Sequence, residues 1–182
     1  MTPAGYMAKR VCTKPDWLGA DSVLDIYSVS RCISENFADY INYWKHNGYW
    51  LFDSPEVIAE LARDYSSDLA GTKVFYYELY ELEFRENERE WRLIEPESSF
   101  VTNVVVPKEK YLEGYDVVTC SCGNAPECSP LSCNSLASSM RVNQHCLLDS
   151  FEEAKQYLED GRFNDSEPGP YRILAVYVVE RP

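Results

Sequence analysis

Leu51, Asp53, Ser54, Glu56 and Asp64 recur 96 positions later as Leu147, Asp149, Ser150, Glu152 and Asp160. An Asp-Ser pair followed by acidic residues marks a helix start: the serine oxygen accepts from amides of the first turn, and early carboxylates favour the positive end of the helix dipole. Pro55 suits a first helical position, so one helix is predicted over Pro55–Tyr65. Glu153 follows Ser150 in capping-box spacing and Gly161 supplies a stop, so another is predicted over Phe151–Asp160. A chain that starts two helices in the same way is constrained to repeat the elements around them.

Strands fill the intervals. Val74–Phe84 combines Tyr and Phe with alternation, Glu86-Asn87-Glu88 turns the chain, and Trp91–Ile94 returns as a hairpin partner. Tyr171–Val179 is almost continuously apolar after Arg172, which predicts an interior strand. Val23–Ser30 alternates and reads as the first strand. Ser34 stands before Phe37, Tyr40, Ile41 and Trp44, the spacing of an amphipathic helix closed by Asn47-Gly48. Val101–Val106, Tyr115–Cys120 and Val142–Leu148 are expected as shorter strands.

A shift of 88 places Tyr27, Val29 and Cys32 on Tyr115, Val117 and Cys120. The reading is a single α+β domain over residues 1–182: a mixed β-sheet with three to four helices, and a pseudo-duplicated β-α-β-α-β unit whose halves span about 23–94 and 115–180. The change of shift assigns about eight extra residues to the second half, in the Cys-rich loop from Cys120 to Asn134. Met1–Asp16 is polar, lacks an apolar centre and reads as a flexible lead-in, with no role given to Met1–Tyr6.

Thirty acidic against seventeen basic side chains leave a net charge of -13. Coulomb repulsion disfavours nucleic acid and anionic membranes as partners and favours a basic protein. No apolar run approaches the roughly 18 residues of a membrane span, and no hydrophobic leader opens the chain, so a cytoplasmic location is expected. The seven cysteines are odd in number and are expected as thiols.

Cys120, Cys122, Cys128 and Cys133 offer four thiolates for zinc, although their spacing departs from paired CxxC knuckles; small packed residues are the alternative. Cys133, just ahead of a short helical turn, is the candidate nucleophile of a thiol enzyme, with His145 as its base. Asp53-Ser54 and Asp149-Ser150 read as helix caps rather than catalytic pairs. Glu83, Glu86 and Glu88 with Trp91 on the hairpin, and Glu127 on the Cys loop, are the candidate binding residues.

No Walker loop, GxGxxG, HExxH, GxSxG or kinase signature is present. The leading expectation is therefore a non-catalytic binding protein for a basic partner, with no cofactor. The alternatives are a cysteine-dependent enzyme and a zinc-stabilised adaptor. In size and charge the chain resembles small acidic bacterial immunity proteins and anti-defence proteins, a resemblance that implies an immunity- or inhibitor-like role.

Overall fold

Antiparallel pairing accounts for every ladder among the described residues, which in this computed structural model are 1–40, 46–97, 100–121 and 125–179. The elements run β1 (Thr2–Arg10), β2 (Cys12–Thr13), β3 (Asp25–Ile26), β4 (Glu35–Asn36), α1 (Pro55–Asp64), β5 (Lys73–Leu79), β6 (Leu82–Arg85), β7 (Glu90–Leu93), β8 (Tyr111–Thr119), α2 (Pro130–Cys133), α3 (Phe151–Glu159) and β9 (Tyr171–Val178). Single 3-10 turns occupy Phe37–Tyr40 and Leu136–Ser138. The chain is thus α+β and mostly β. No helix among the described residues is long and apolar enough to cross a membrane.

The spine of the sheet is β1-β5-β9-β8. A strand has two edges; β8 pairs along one side of β9, so β5 and β6 share the other, with Phe84 opposite Tyr171. That position explains the apolar run of β9, whose residues Tyr171–Val176 are all buried. Alternation then sorts the two faces. Val117 and Ile173 join one apolar cluster with Ala154 and Leu158 of α3, whereas Val118 and Leu174 join another with Tyr77 and Leu79.

Both cap predictions hold. Ser54 Oγ accepts from Val57 N at 3.4 Å and Ser150 Oγ from Glu153 N at 3.1 Å, each heading its helix.

The largest departure is at the N-terminus. Thr2–Arg10, expected to be flexible, is a strand laid along β5, with Ala4–Lys9 buried. Its inward positions are Ala, Gly and Lys as well as Tyr and Met, so composition conceals it. Only Asp25–Ile26 of the expected Val23–Ser30 strand forms a ladder, with Cys12–Thr13. Val101–Val106 is a connector without ladder pairing, and Val101 is 89% exposed. From Ser34 onward there is one 3-10 turn in place of the start of a longer helix, and Ile41 and Trp44 lie outside the described residues.

Val142–Leu148 is a turn, because the Asn143 side chain takes the hydrogen bonds a ladder would use. Asn143 Oδ1 accepts from His145 N (2.9 Å) and Leu147 N (3.2 Å), and its Nδ2 donates to Glu113 O at 2.7 Å. Asn47 makes the same bonds: Oδ1 accepts from Tyr49 N (2.9 Å) and Leu51 N (3.2 Å), and Nδ2 donates to Ala4 O at 2.8 Å. Trp50 and Cys146, one position before each Leu, have φ of 61° and 60°.

Each turn closes on a glycine bulge in the adjacent strand. A Cβ on Gly5 would lie 2.7 Å from Phe52 O, and one on Gly114 2.7 Å from Leu148 O. Tyr6 bridges Phe52 as Tyr115 bridges Leu148. The surroundings of Gly5 on β1 thus match those of Gly114 on β8, with Asn47 following Gly5 by 42 positions and Asn143 following Gly114 by 29.

Candidate functional site

Two side chains that normally seek water are enclosed against the sheet. Through the strand registers, Lys9, Tyr77 and Asp116 occupy one face. Segment 28–30 crosses this face and satisfies two of them. Lys9 Nζ donates to Ser28 O and, at 2.9 Å, to Ser30 O, while Asp116 accepts from Val29 N at 2.8 Å and Ser129 Oγ at 2.6 Å. Burial lowers the Lys9 ammonium to about 8, against the raising influence of Asp116. Burial likewise lifts Asp116 to about 6, with its hydrogen bonds holding it back. The Tyr77 hydroxyl is buried without a hydrogen-bond partner among the described residues.

The same crossing segment carries a thiol to the Cys loop. Cys32, Cys128 and Cys133 Sγ atoms all lie within 4.8 Å of one another, with Cys32 exposed, Cys133 half-buried and Cys128 buried. Cys133 sits on α2, where its amide donates to Ser129 O at 2.8 Å. Ser30 Oγ is 3.8 Å from Cys133 Sγ, so the thiols adjoin the Lys9–Asp116 layer. Donation from Cys128 and then Cys133 pulls the Cys32 thiol down, and the contacts with Cys133 and Cys32 push Cys128 up. Cys128 Sγ also lies 3.4 Å from Asn134 Oδ1, whose amide nitrogen donates to Ser166 O (3.1 Å) and Glu167 Oε1 (3.0 Å).

Of the four cysteines expected to act together, Cys128 and Cys133 do meet. Cys120 is buried at the end of β8 and pushed up to about 12 by that burial, outside the thiol cluster. Cys122 lies outside the described residues. Cys32, which the shift of 88 placed on Cys120, takes part instead.

Cys133 and His145 are occupied separately. The His145 ring stacks on Tyr27 at 3.9 Å, with Nδ1 2.5 Å from Asp25 Oδ1 and Nε2 3.4 Å from Glu113 Oε2. No hydrogen bond joins His145 to Cys133 among the described residues.

The acidic hairpin divides. Glu83 is 3% exposed and paired with Arg172 at 3.0 Å and Arg85 at 2.5 Å. Glu88 is paired with Arg92, and Trp91 is pinned to α3 by a 2.9 Å bond from Nε1 to Glu159 Oε1. Glu127 accepts from Ser121 Oγ at 2.6 Å. Glu86 alone of the five lines a cleft of about 400 Å³, shared with Asn87, Asn164, Asp165, Ser166, Glu167 and Pro168. None of these lining residues is basic. Asp165 and Glu167 went unnoticed in the sequence because a turn-rich NDSEPGP stretch reads as a connector.

No protein-family model, curated protein or solved structure matches the chain.

Proposed function

We propose that the chain is a non-catalytic binding protein whose cleft between the Glu86 turn and the Asn164–Pro168 turn receives an arginine or lysine of a basic protein partner. The observation that carries this reading is the three carboxylates of Glu86, Asp165 and Glu167 around one concavity with no basic residue in its lining. A cation entering there meets unneutralised negative charge inside a chain of net -13, which both steers approach and favours the bound state. The walls are held from behind: Gly169 N donates to Glu86 Oε1 at 3.2 Å, and Tyr171 OH donates to Phe163 O at 3.0 Å. An inhibitor- or immunity-like role, in which an acidic surface occludes a basic one, is the biological form that fits this chemistry.

We infer also that the scaffold is a duplicated unit of strand, asparagine turn, capped helix and strand. The matching surroundings of Gly5 and Gly114, and the matching bonds of Asn47 and Asn143, support it.

Titration with a tetra-arginine peptide, followed by amide chemical shifts, tests the cleft. Shifts should centre on residues 86–88 and 164–169, weaken as salt rises, and disappear in an E86K/D165K double variant. Equal binding by that variant, or shifts centred elsewhere, would remove the cleft from the reading.

A further inference from the structure

Three sulfurs from segments some 96 positions apart lie together, away from the cleft lining, and their chemistry does not depend on the cleft. Cys32 belongs to a segment whose regular structure amounts to the two-residue strands β3 and β4, while Cys128 lies just before α2 and Cys133 is its last residue. Both segments bury apolar residues, among them Val29 and Leu131, and a metal ion shared by their thiols would add a direct link between them. A tetrahedral zinc–thiolate centre has Zn–S distances of about 2.3 Å and hence S···S separations of roughly 3.8 Å. Thiols already within 4.8 Å reach that arrangement by small side-chain rotations, without moving a strand. All-sulfur donors select thiophilic ions over magnesium or calcium.

We propose that Cys32, Cys128 and Cys133 hold one zinc ion as thiolates, and that this ion fastens the crossing segment of the first half to the Cys loop of the second. Binding exchanges three S–H protons, released to solvent, for three Zn–S bonds. Zn²⁺ with three thiolates carries one net negative charge, and the enclosed Lys9 ammonium supplies a positive charge nearby, linked through Ser30 to the edge of Cys133. Cys32, exposed at the surface, gives the ion a path in. Asn134 ties the centre to the back of the acidic cleft through Ser166 and Glu167, so metal binding also orders one cleft wall.

The full chain, purified with a reductant, loaded with Zn²⁺ and desalted, should retain about one equivalent by elemental analysis. Replacing Zn²⁺ by Co²⁺ should give sulfur-to-metal charge-transfer absorption. Both signals should be lost in Cys32→Ser and Cys133→Ser and kept in Cys12→Ser, whose thiol contacts Ile33 O instead.

A measurement on the unaltered chain guards against variants that misfold. Alkylation mapped by peptide mass should be about tenfold slower at Cys32 and Cys133 with zinc than after chelation, with Cys12 unchanged, and chelation should speed amide exchange in 28–36 and 127–134. No retained metal, retention equal in the Cys32 and Cys133 variants, a Cys32–Cys133 disulfide in place of uptake, or alkylation indifferent to zinc would each overturn the proposal. Peptide binding at the cleft is read independently, so either proposal can fail alone.

Discussion

Gly5 and Gly114 have φ of +137° and +146°, where side chains are strained, and each is pressed by a backbone carbonyl 2.7 Å from where a Cβ would stand. Gly5→Ala and Gly114→Ala should each cost about 2–4 kcal/mol in urea unfolding, because strain and collision add. Gly71→Ala is the comparison: φ is +75° in open space, so about 1 kcal/mol is expected. If all three cost the same, the carbonyl contact carries no weight.

Asp116 makes a pH-resolved case at the same scale. Its folded value, about 6, lies above the ordinary 3.8, so the folded state favours the protonated carboxyl. The stability it contributes is full below pH of about 4 and is lost as pH rises through about 6. Asp116→Asn keeps one carbonyl oxygen to accept from Val29 N and offers an amide nitrogen from which Ser129 Oγ can accept by reversing its hydroxyl; it does not titrate, and should gain on the wild type by on the order of 3 kcal/mol across that window. The neighbouring groups titrate higher: Lys9 near 8, Cys146 near 12, and Tyr77 well above 10. A constant difference between the two proteins from about pH 4 to about pH 6 would refute the assignment.

Elements differ in how openly the sequence declares them, and the helix caps were fully legible. Ser54 and Ser150 each make one bond to an amide three residues away, so local pattern is enough; each Ser→Ala should cost about 1 kcal/mol, roughly 2–4 °C in Tm. The asparagine turns were not legible, because their partners are remote. Asn47 reaches back to Ala4 O and Asn143 to Glu113 O, and a periodicity scan sees only a short apolar run beside each. Asn143→Ala strips three bonds from an interior turn and should exceed the Ser150→Ala cost by at least about 1 kcal/mol in the same urea titration; near-equal costs would show that the backbone holds the turn unaided. β1 was hidden for a related reason: Tyr6 and Met7 are buried among Ala, Gly and Lys lying against β5, a mixture that makes no hydrophobic stripe. The thiol cluster was half visible. Spacing along the chain pointed to Cys120 and Cys122, whereas the third sulfur arrives from Cys32, 96 positions before Cys128, by a crossing that only the folded sheet creates.

At the scale of the whole molecule, charge acts on folding and on binding with opposite signs. A net charge of -13 on one small fold is self-repelling, and that repulsion is weaker in the expanded unfolded chain. Local ion pairs offset little of it: Arg92 with Glu88 and Glu90, and Lys155 with Glu159, are solvent-exposed pairs whose attraction water screens and side-chain entropy opposes. The buried Glu83–Arg172 pair is shielded from salt and leaves the net charge unchanged. Screening should therefore relieve repulsion more than it weakens attraction. Raising NaCl from about 20 mM to about 500 mM shrinks the Debye length from roughly 20 Å to roughly 4 Å, and Tm should rise by about 2–4 °C while peptide affinity at the cleft falls. KCl should act identically, since the effect is ionic strength. A Tm that falls with salt would mean that the exposed pairs outweigh the net charge, and the acidic surface would then be an internal stabiliser rather than a surface held ready for a cation.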